Sequence, residues 1–325
     1  MKTSKTDLPE SQKWSPVGKS NDLIVQKPHL AVKLTGMMLI ITLFSAFIPF
    51  KIIIAQPHTE IITRTARFQN PMDSTNKLSL YNIHGSVAIE GYEGEEIQIS
   101  VKQTIDTEDG DELEQALSEL KIKVDQQEQQ VIVYLDAPFI DIDTSGKNIG
   151  YRIDSYEDHY EFLHNFTIKV PRTTNVEAST INRGAVKLTD ISAREISARN
   201  INGEIILDNI SGDTKVRTVN GDITARYTAN PTGNSDYKTV NGTIEVNYPQ
   251  SLSADIRFKS MHGDLYTDFH NIHRLNQRVE ESKESDGHSI SYRVDKFSPI
   301  RIGKGGPQFN FEVLNGDVYI KQIKS

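Results

Sequence analysis

The chain has 325 residues, enough for one large or two ordinary domains with a sizeable core. Its 36 Lys and Arg against 44 Asp and Glu leave a net charge of −8, which argues against a nucleic-acid partner, since such proteins normally carry a basic excess. With no cysteine, it has no disulfide framework, no thiolate nucleophile and no cysteine metal site.

Residues 1–33 form a polar leader carrying Lys2, Lys5, Lys13, Lys19, Lys27 and Lys33. From Leu34 to Phe50 no charge occurs; Lys51 interrupts, and Ile52, Ile53, Ile54 and Ala55 follow. The segment 34–55 reads as a signal peptide or a single membrane anchor. It is borderline for the roughly 20 apolar residues of a spanning helix and long for an apolar signal core of about 7–15. Cleavage after Ala55 would put Ile53 where a small residue is preferred. The lysines before it fit a cytoplasmic N-terminus either way. The expectation is an exported protein, membrane-anchored through 34–55 if uncleaved, and otherwise periplasmic or at the cell surface.

From residue 60 the pattern turns to strands. Leu78 to Gly85, followed by Val87 and Ile89, is a degenerate copy of a motif repeated later. Residues 97–103 alternate as a half-buried strand does. Residues 111–120 instead place Leu113, Leu117 and Leu120 on one helical face, with acids in the first turn. Strands return at 120–124, 131–135 and 166–170, and polar residues 136–161 read as a long surface loop. The acidic run 106–112 lacks a glycine where a calcium loop needs one, so it reads as a solvated loop and helix start. Asp141, Asp143, Asp154, Glu157 and Asp158 could pair as acid–base carboxylates, but a solvated acidic loop accounts for them better.

Residues 176–267 say nearly the same thing several times. Aligned on Gly203, Gly221, Gly242 and Gly263, with spacings of 18, 21 and 21, the columns agree. Ile205, Ile223, Ile244 and Leu265 follow the glycine by two; Ile201, Val219, Val240 and Met261 precede it by two. Ala198, Val216, Tyr237 and Phe258 share a side with Leu207, Ala225 and Val246. Gly184 opens the array, and Gly85 and Gly316 mark outlying copies, the last within 308–325. Asn202, Asn220, Asn241 and His262 stand before the glycine, a pairing suited to a tight corner. A repeat of about twenty residues marks a stacked architecture. The expectation is a mainly β, β-helix-like solenoid with one short helix; an antiparallel meander or sandwich is the alternative, since Asn-Gly is also a hairpin signal.

Arg199, Arg217, Lys238 and Lys259 recur four before the glycine and predict a basic stripe, with Glu204, Asp222 and Asp264 nearby as compensation. A linear track for a polyanion such as an acidic glycan is the functional reading; a mutually neutralised face is the simpler one. Residues 276–286 read as a mobile excursion or partial helix. The glycines of 301–307 lack the Walker spacing, and His270 and His273 lack the partners of a zinc site. No catalytic set or cofactor site emerges.

The residues 77–91, the Val-Asn-Gly-Asp-Ile type units and the closing Leu-Asn-Gly-Asp-Val-Tyr-Ile resemble the bacterial putative-adhesin family (DUF4097-like), which includes relatives of the head-GIN-domain autotransporter adhesins. The resemblance spans about residues 60–325. It implies an exported, β-helix-like, non-enzymatic scaffold, with no catalytic residues to carry over. Expected partners are a cell-envelope glycan or a surface protein. A membrane-tethered, envelope-sensing ectodomain and a polysaccharide-active β-helix enzyme are the rival readings.

Overall fold

The computed structural model describes residues 56–143, 150–153, 160–276, 279–285, 290–296 and 298–324. The leader, the segment 34–55 and Asp154, Glu157 and Asp158 lie outside the described residues. In chain order the first part holds β1 (His58–Arg67), β2 (Lys77–Tyr81), β3 (Val87–Tyr92), β4 (Glu96–Asp106), α1 (Gly110–Glu119), β5 (Lys121–Gln126), β6 (Gln130–Asp136), β7 (Ile140–Asp143), β8 (Gly150–Ile153) and β9 (Glu161–Pro171). The array follows as β10 (Asn175–Ser179), β11 (Val186–Thr189), β12 (Ser192–Arg199), β13 (Ile205–Arg217), β14 (Ile223–Tyr227), β15 (Ser235–Asn241), β16 (Ile244–Tyr248), β17 (Ala254–His262) and β18 (Leu265–Thr267). Last come β19 (Ile272–Arg274), β20 (Val279–Ser285), β21 (Ile290–Lys296), β22 (Ser298–Ile302), β23 (Gln308–Asn315) and β24 (Val318–Gln322).

Each repeat is one rung of two strands meeting at its glycine, and the rungs stack in parallel. On the pre-glycine face the neighbours run β6, β2, β10, β12, β13, β15, β23, β17. On the post-glycine face they run β9, β3, β11, β13, β14, β16, β24, β18. The long β13 serves both faces, turning through Asn209 and Gly212, both at positive φ. Parallel pairing sets aside the antiparallel meander for the array. Antiparallel strands close the ends instead: β5 on β6, β22 on β17, and β1 and β4 beside β9.

Because neighbouring rungs are in register, inward side chains form columns. Val87, Val186, Ile205, Ile223, Ile244 and Val318 are all buried on one face, opposite Leu80, Ala178, Ala198, Val216, Tyr237 and Phe311 on the other. Strands about 4.8 Å apart suit flat rings stacked face on face. Tyr237 stacks on Phe311 with centroids 5.0 Å apart, and Tyr227 on Tyr248 at 4.8 Å. The hydroxyls of Tyr227 and Tyr237 meet at 2.5 Å, each also on Thr214 Oγ1, so these buried rings keep polar partners. Burial pushes both hydroxyls well above their ordinary pKa.

Three expectations need correction. The copy at Gly316 is outlying in sequence but not in space: β23 and β24 insert between the rungs of Gly242 and Gly263, where Phe309 and Phe311 complete the core. Within the polar stretch 276–286, residues 279–285 are a strand rather than a partial helix: β20 pairs antiparallel with β21 as a two-stranded hairpin. Likewise β7 and β8 form a hairpin inside the supposed surface loop, as the alternation Ile140, Ile142 and Tyr151, Ile153 allows. The helix does form at α1, capped by Asp109, whose Oδ1 accepts the Asp111 amide at 3.0 Å.

Candidate binding face

Everything at the corner follows from how closely one rung lies on the next. A Cβ added to Gly221 would sit 2.2 Å from the Gly203 carbonyl oxygen, and one on Gly184 2.3 Å from the Gly85 carbonyl carbon. The ladder continues in the order Gly85, Gly184, Gly203, Gly221, Gly242, Gly316, Gly263, each against its predecessor's backbone. Neither Gly184 nor Gly221 needs a left-handed angle, so proximity rather than conformation excludes a side chain there. Arg183 before Gly184 is left-handed, at φ 63°, but Asn202, Asn220, Asn241 and Asn315, each just before its glycine, are not. They stack instead. Asn202 Nδ2 donates to Asn182 Oδ1 (2.6 Å), Asn220 to Asn202 (2.8 Å), Asn241 to Asn220 (2.8 Å) and Asn315 to Asn241 (2.8 Å). His262 Nδ1 meets Asn315 Oδ1 at 3.1 Å and ends the amide ladder.

A buried polar column lies three residues before the glycine. Asn200 Nδ2 donates to the Gly184 carbonyl (2.9 Å), Thr218 Oγ1 to Gly203 (3.0 Å) and Thr239 Oγ1 to Gly221 (3.0 Å). These three rungs thus satisfy the corner carbonyl of their predecessor, which would otherwise be a buried acceptor without a partner. In the inserted rung Val313 takes this place, and Ser260 Oγ makes no such bond. The recurrence of Asn200, Thr218 and Thr239 carries this signal in the sequence, but the aliphatic columns overshadow it.

The outward side of the pre-glycine face carries two further columns. Arg199 stacks beside Arg217, and Arg217 beside Lys238. Lys238 and Lys259 are not neighbours, because Glu312 of the inserted rung stands between them. Its carboxylate lies 3.1 Å from Lys238 Nζ and 3.7 Å from Lys259 Nζ. The four-residue basic stripe is therefore broken. Its compensating acid is Glu312 rather than the residues after the glycines; Asp222 and Asp317 instead accept the amides of Thr243 (2.7 Å) and Asp264 (2.9 Å). Arg199 and Arg217 stay exposed and form no ion pair among the described residues. Between the basic column and the amide ladder runs an apolar column that leaves Ile201 (42 %), Val219 (38 %), Leu314 (39 %) and Met261 (70 %) exposed. The face therefore offers cation, apolar surface and amide side by side, repeated at rung spacing.

Of the acidic candidates elsewhere, Asp141 pairs with Arg152 at 2.7 Å, and Glu112 accepts from Thr107 Oγ1 at 2.5 Å. Among the described residues no cluster of three or more His, Asp or Glu is placed to hold a metal, His270 and His273 included. Among them, too, no helix is long and apolar enough to cross a membrane.

A family model described as Toastrack DUF4097 matches residues 143–296. No curated protein matches the chain. Similar solved structures include a putative cell adhesion protein from Clostridium sporogenes, 14% identical, with a TM-score of 0.38 over 82% of this chain and 100% of that one. A putative adhesin from Bacteroides fragilis is 12% identical, with a TM-score of 0.32 over 83% of this chain and 100% of that one. A putative lipid binding protein from Parabacteroides distasonis is 11% identical, with a TM-score of 0.25 over 81% of this chain and 97% of that one. Likenesses this distant place no residue.

Proposed function

We propose that this chain, which resembles the DUF4097-like putative adhesins over residues 143–296, is an exported, non-enzymatic scaffold that binds an acidic cell-envelope glycan along its pre-glycine face. One observation carries this reading: Arg199 and Arg217 are stacked, exposed and without an ion pair among the described residues, beside an exposed apolar column. Stacked cations at rung spacing repel one another, and a polyanion with regularly spaced carboxylates relieves that repulsion over several contacts at once. Sugar rings present apolar faces as well as charge, and Ile201 and Val219 supply the matching surface. Contacts of this kind are individually weak, exposed and screened by salt.

Binding of the full chain to an immobilised acidic polysaccharide tests the reading. It predicts binding that falls steeply with salt and is largely lost in Arg199→Ala/Arg217→Ala. Binding that is unchanged in that variant contradicts it. New reducing ends after incubation would favour the enzyme reading instead. The charge-free run 34–50 supports a second reading, a tethered envelope-sensing ectodomain. Mass spectrometry of the mature chain separates tethering, with Met1 intact, from release with a new end at Gln56.

A further inference from the structure

The two free edges of the post-glycine face differ. At one, β18 has three residues, and short edge strands are a common guard against unwanted pairing. At the other, β1 has ten residues and, among the described residues, pairs with β4 alone. The Arg67 amide donates to Gln126 Oε1 (3.3 Å) and the Thr63 carbonyl accepts from Arg64 Nη1 (2.8 Å), both on the side away from β4. In an antiparallel ladder each residue turns its N–H and C=O to the same side. Thr59, Ile61, Thr63 and Thr65 therefore present their backbone groups to the open edge. Ile61 is 70 % exposed there. The alternate residues Glu60, Ile62 and Arg64 continue the inward columns of β4, in register with Gln103, Val101 and Ile99.

We propose that β1 pairs antiparallel with β1 of a second copy of this chain, about a two-fold axis through Ile62. The backbone allows an axis only at an odd–odd pairing, which leaves Ile61, Ile62 and Thr63 as central choices. An axis at Ile61 sets Glu60 against Ile62, and one at Thr63 sets Arg64 against Ile62. The axis at Ile62 sets Glu60 against Arg64 twice, with Ile62 on Ile62 between them. It also makes Thr59–Thr65 and Ile61–Thr63 the hydrogen-bonded pairs in both copies. Inward charges on an edge strand ordinarily blunt it. Here the two are opposite in sign and equidistant from Ile62, so an antiparallel copy matches them rather than repelling them. The Gln103 amide already positions the Glu60 carboxylate, donating to Oε1 at 2.8 Å. Arg64 folds back on the Thr63 carbonyl, the acceptor that the Ile61 amide of the second copy would take. Such an interface is isologous and self-closing, and it does not rest on the glycan reading.

The chain has no cysteine, so single substitutions report cleanly. In the full chain under mild oxidant, Ile62→Cys should give a covalent dimer, since directly opposed residues of this type lie about 4.5 Å apart, within disulfide reach. Thr59→Cys should not. By sedimentation, Glu60→Lys should weaken the dimer about tenfold or more, and Glu60→Lys/Arg64→Glu should restore it. The reduced Ile62→Cys variant should keep the parent's thermal transition, so that loss of fold does not explain a missing cross-link. A parent that sediments as a monomer, cross-linking of Ile62→Cys no greater than that of Thr59→Cys, or a dimer indifferent to the charge reversals would each overturn the proposal.

Discussion

The parallel middle of the stack and its antiparallel N-terminal end solve the same packing problem under different constraints. In the middle, each rung lies on a near-copy of itself, so like residues recur in columns: glycine at the corner, mostly asparagine beside it, aliphatics and stacked aromatic rings inside. At the end, β4 and β9 meet different sequences running the other way, and individual residues replace columns. His164 shows the contrast. It is fully buried, donates from Nε2 to Gln103 Oε1 at 2.6 Å, and leaves Nδ1 without a hydrogen-bond partner. Burial, with the nearby His84 adding to it, pushes its pKa down to about 4. Close stacking thus makes the corner glycines of the middle intolerant of a side chain, whereas the end owes its sensitivity to single groups.

The largest expected effect lies in the middle. Gly221→Ala should destabilise by about 3–5 kcal/mol, because the nearest atom is backbone that cannot move without shifting a whole rung. Gly110→Ala, where a Cβ meets nothing within 4 Å, should be neutral or slightly stabilising. Equal effects in denaturant unfolding would break the contrast between stacked and unstacked glycines.

Next comes the pH dependence of the end. A histidine whose folded pKa is depressed leaves stability intact above its ordinary value near 6.5, and stability is lost as pH falls from there toward 4. His164 alone should account for about 3 kcal/mol of that loss. His164→Gln should flatten this part of the stability–pH curve, as read from unfolding midpoints; an unchanged slope would assign it to other groups.

Smaller still, Asn220→Ala cuts the amide ladder in two and should cost about 1 kcal/mol, since these amides are exposed. Arg199→Ala/Arg217→Ala should move stability by no more than about 0.5 kcal/mol. That makes it a clean probe of binding.

The difference between the regions also explains what could be read in advance. The glycine-centred units, their inward aliphatics and α1 are legible because each is a local period. The order of the rungs is not: residues 308–322 repeat the motif, but no local signal says that this copy enters between Gly242 and Gly263. That one misplacement hid Glu312 and made a broken basic stripe look continuous. Columns of Asn200, Thr218 and Thr239 were visible as residues, but their bonds to the preceding rung's glycine carbonyls depend on the vertical contact. The outward position of Ile201, Val219 and Met261 follows from the same two-residue alternation that buries their neighbours. The β20–β21 and β7–β8 hairpins escaped because polar residues mask their alternation.

The order of the stack is the claim on which both the binding face and the glycine ladder depend. Paired cysteines test it most directly. Strands spaced about 4.8 Å apart bring adjacent rungs within disulfide reach, while alternate rungs lie beyond it. Asn241→Cys/Asn315→Cys should cross-link within one chain, and Asn241→Cys/His262→Cys should not. The reverse result, with positions 241 and 262 bridged and 241 and 315 apart, would contradict the inserted rung.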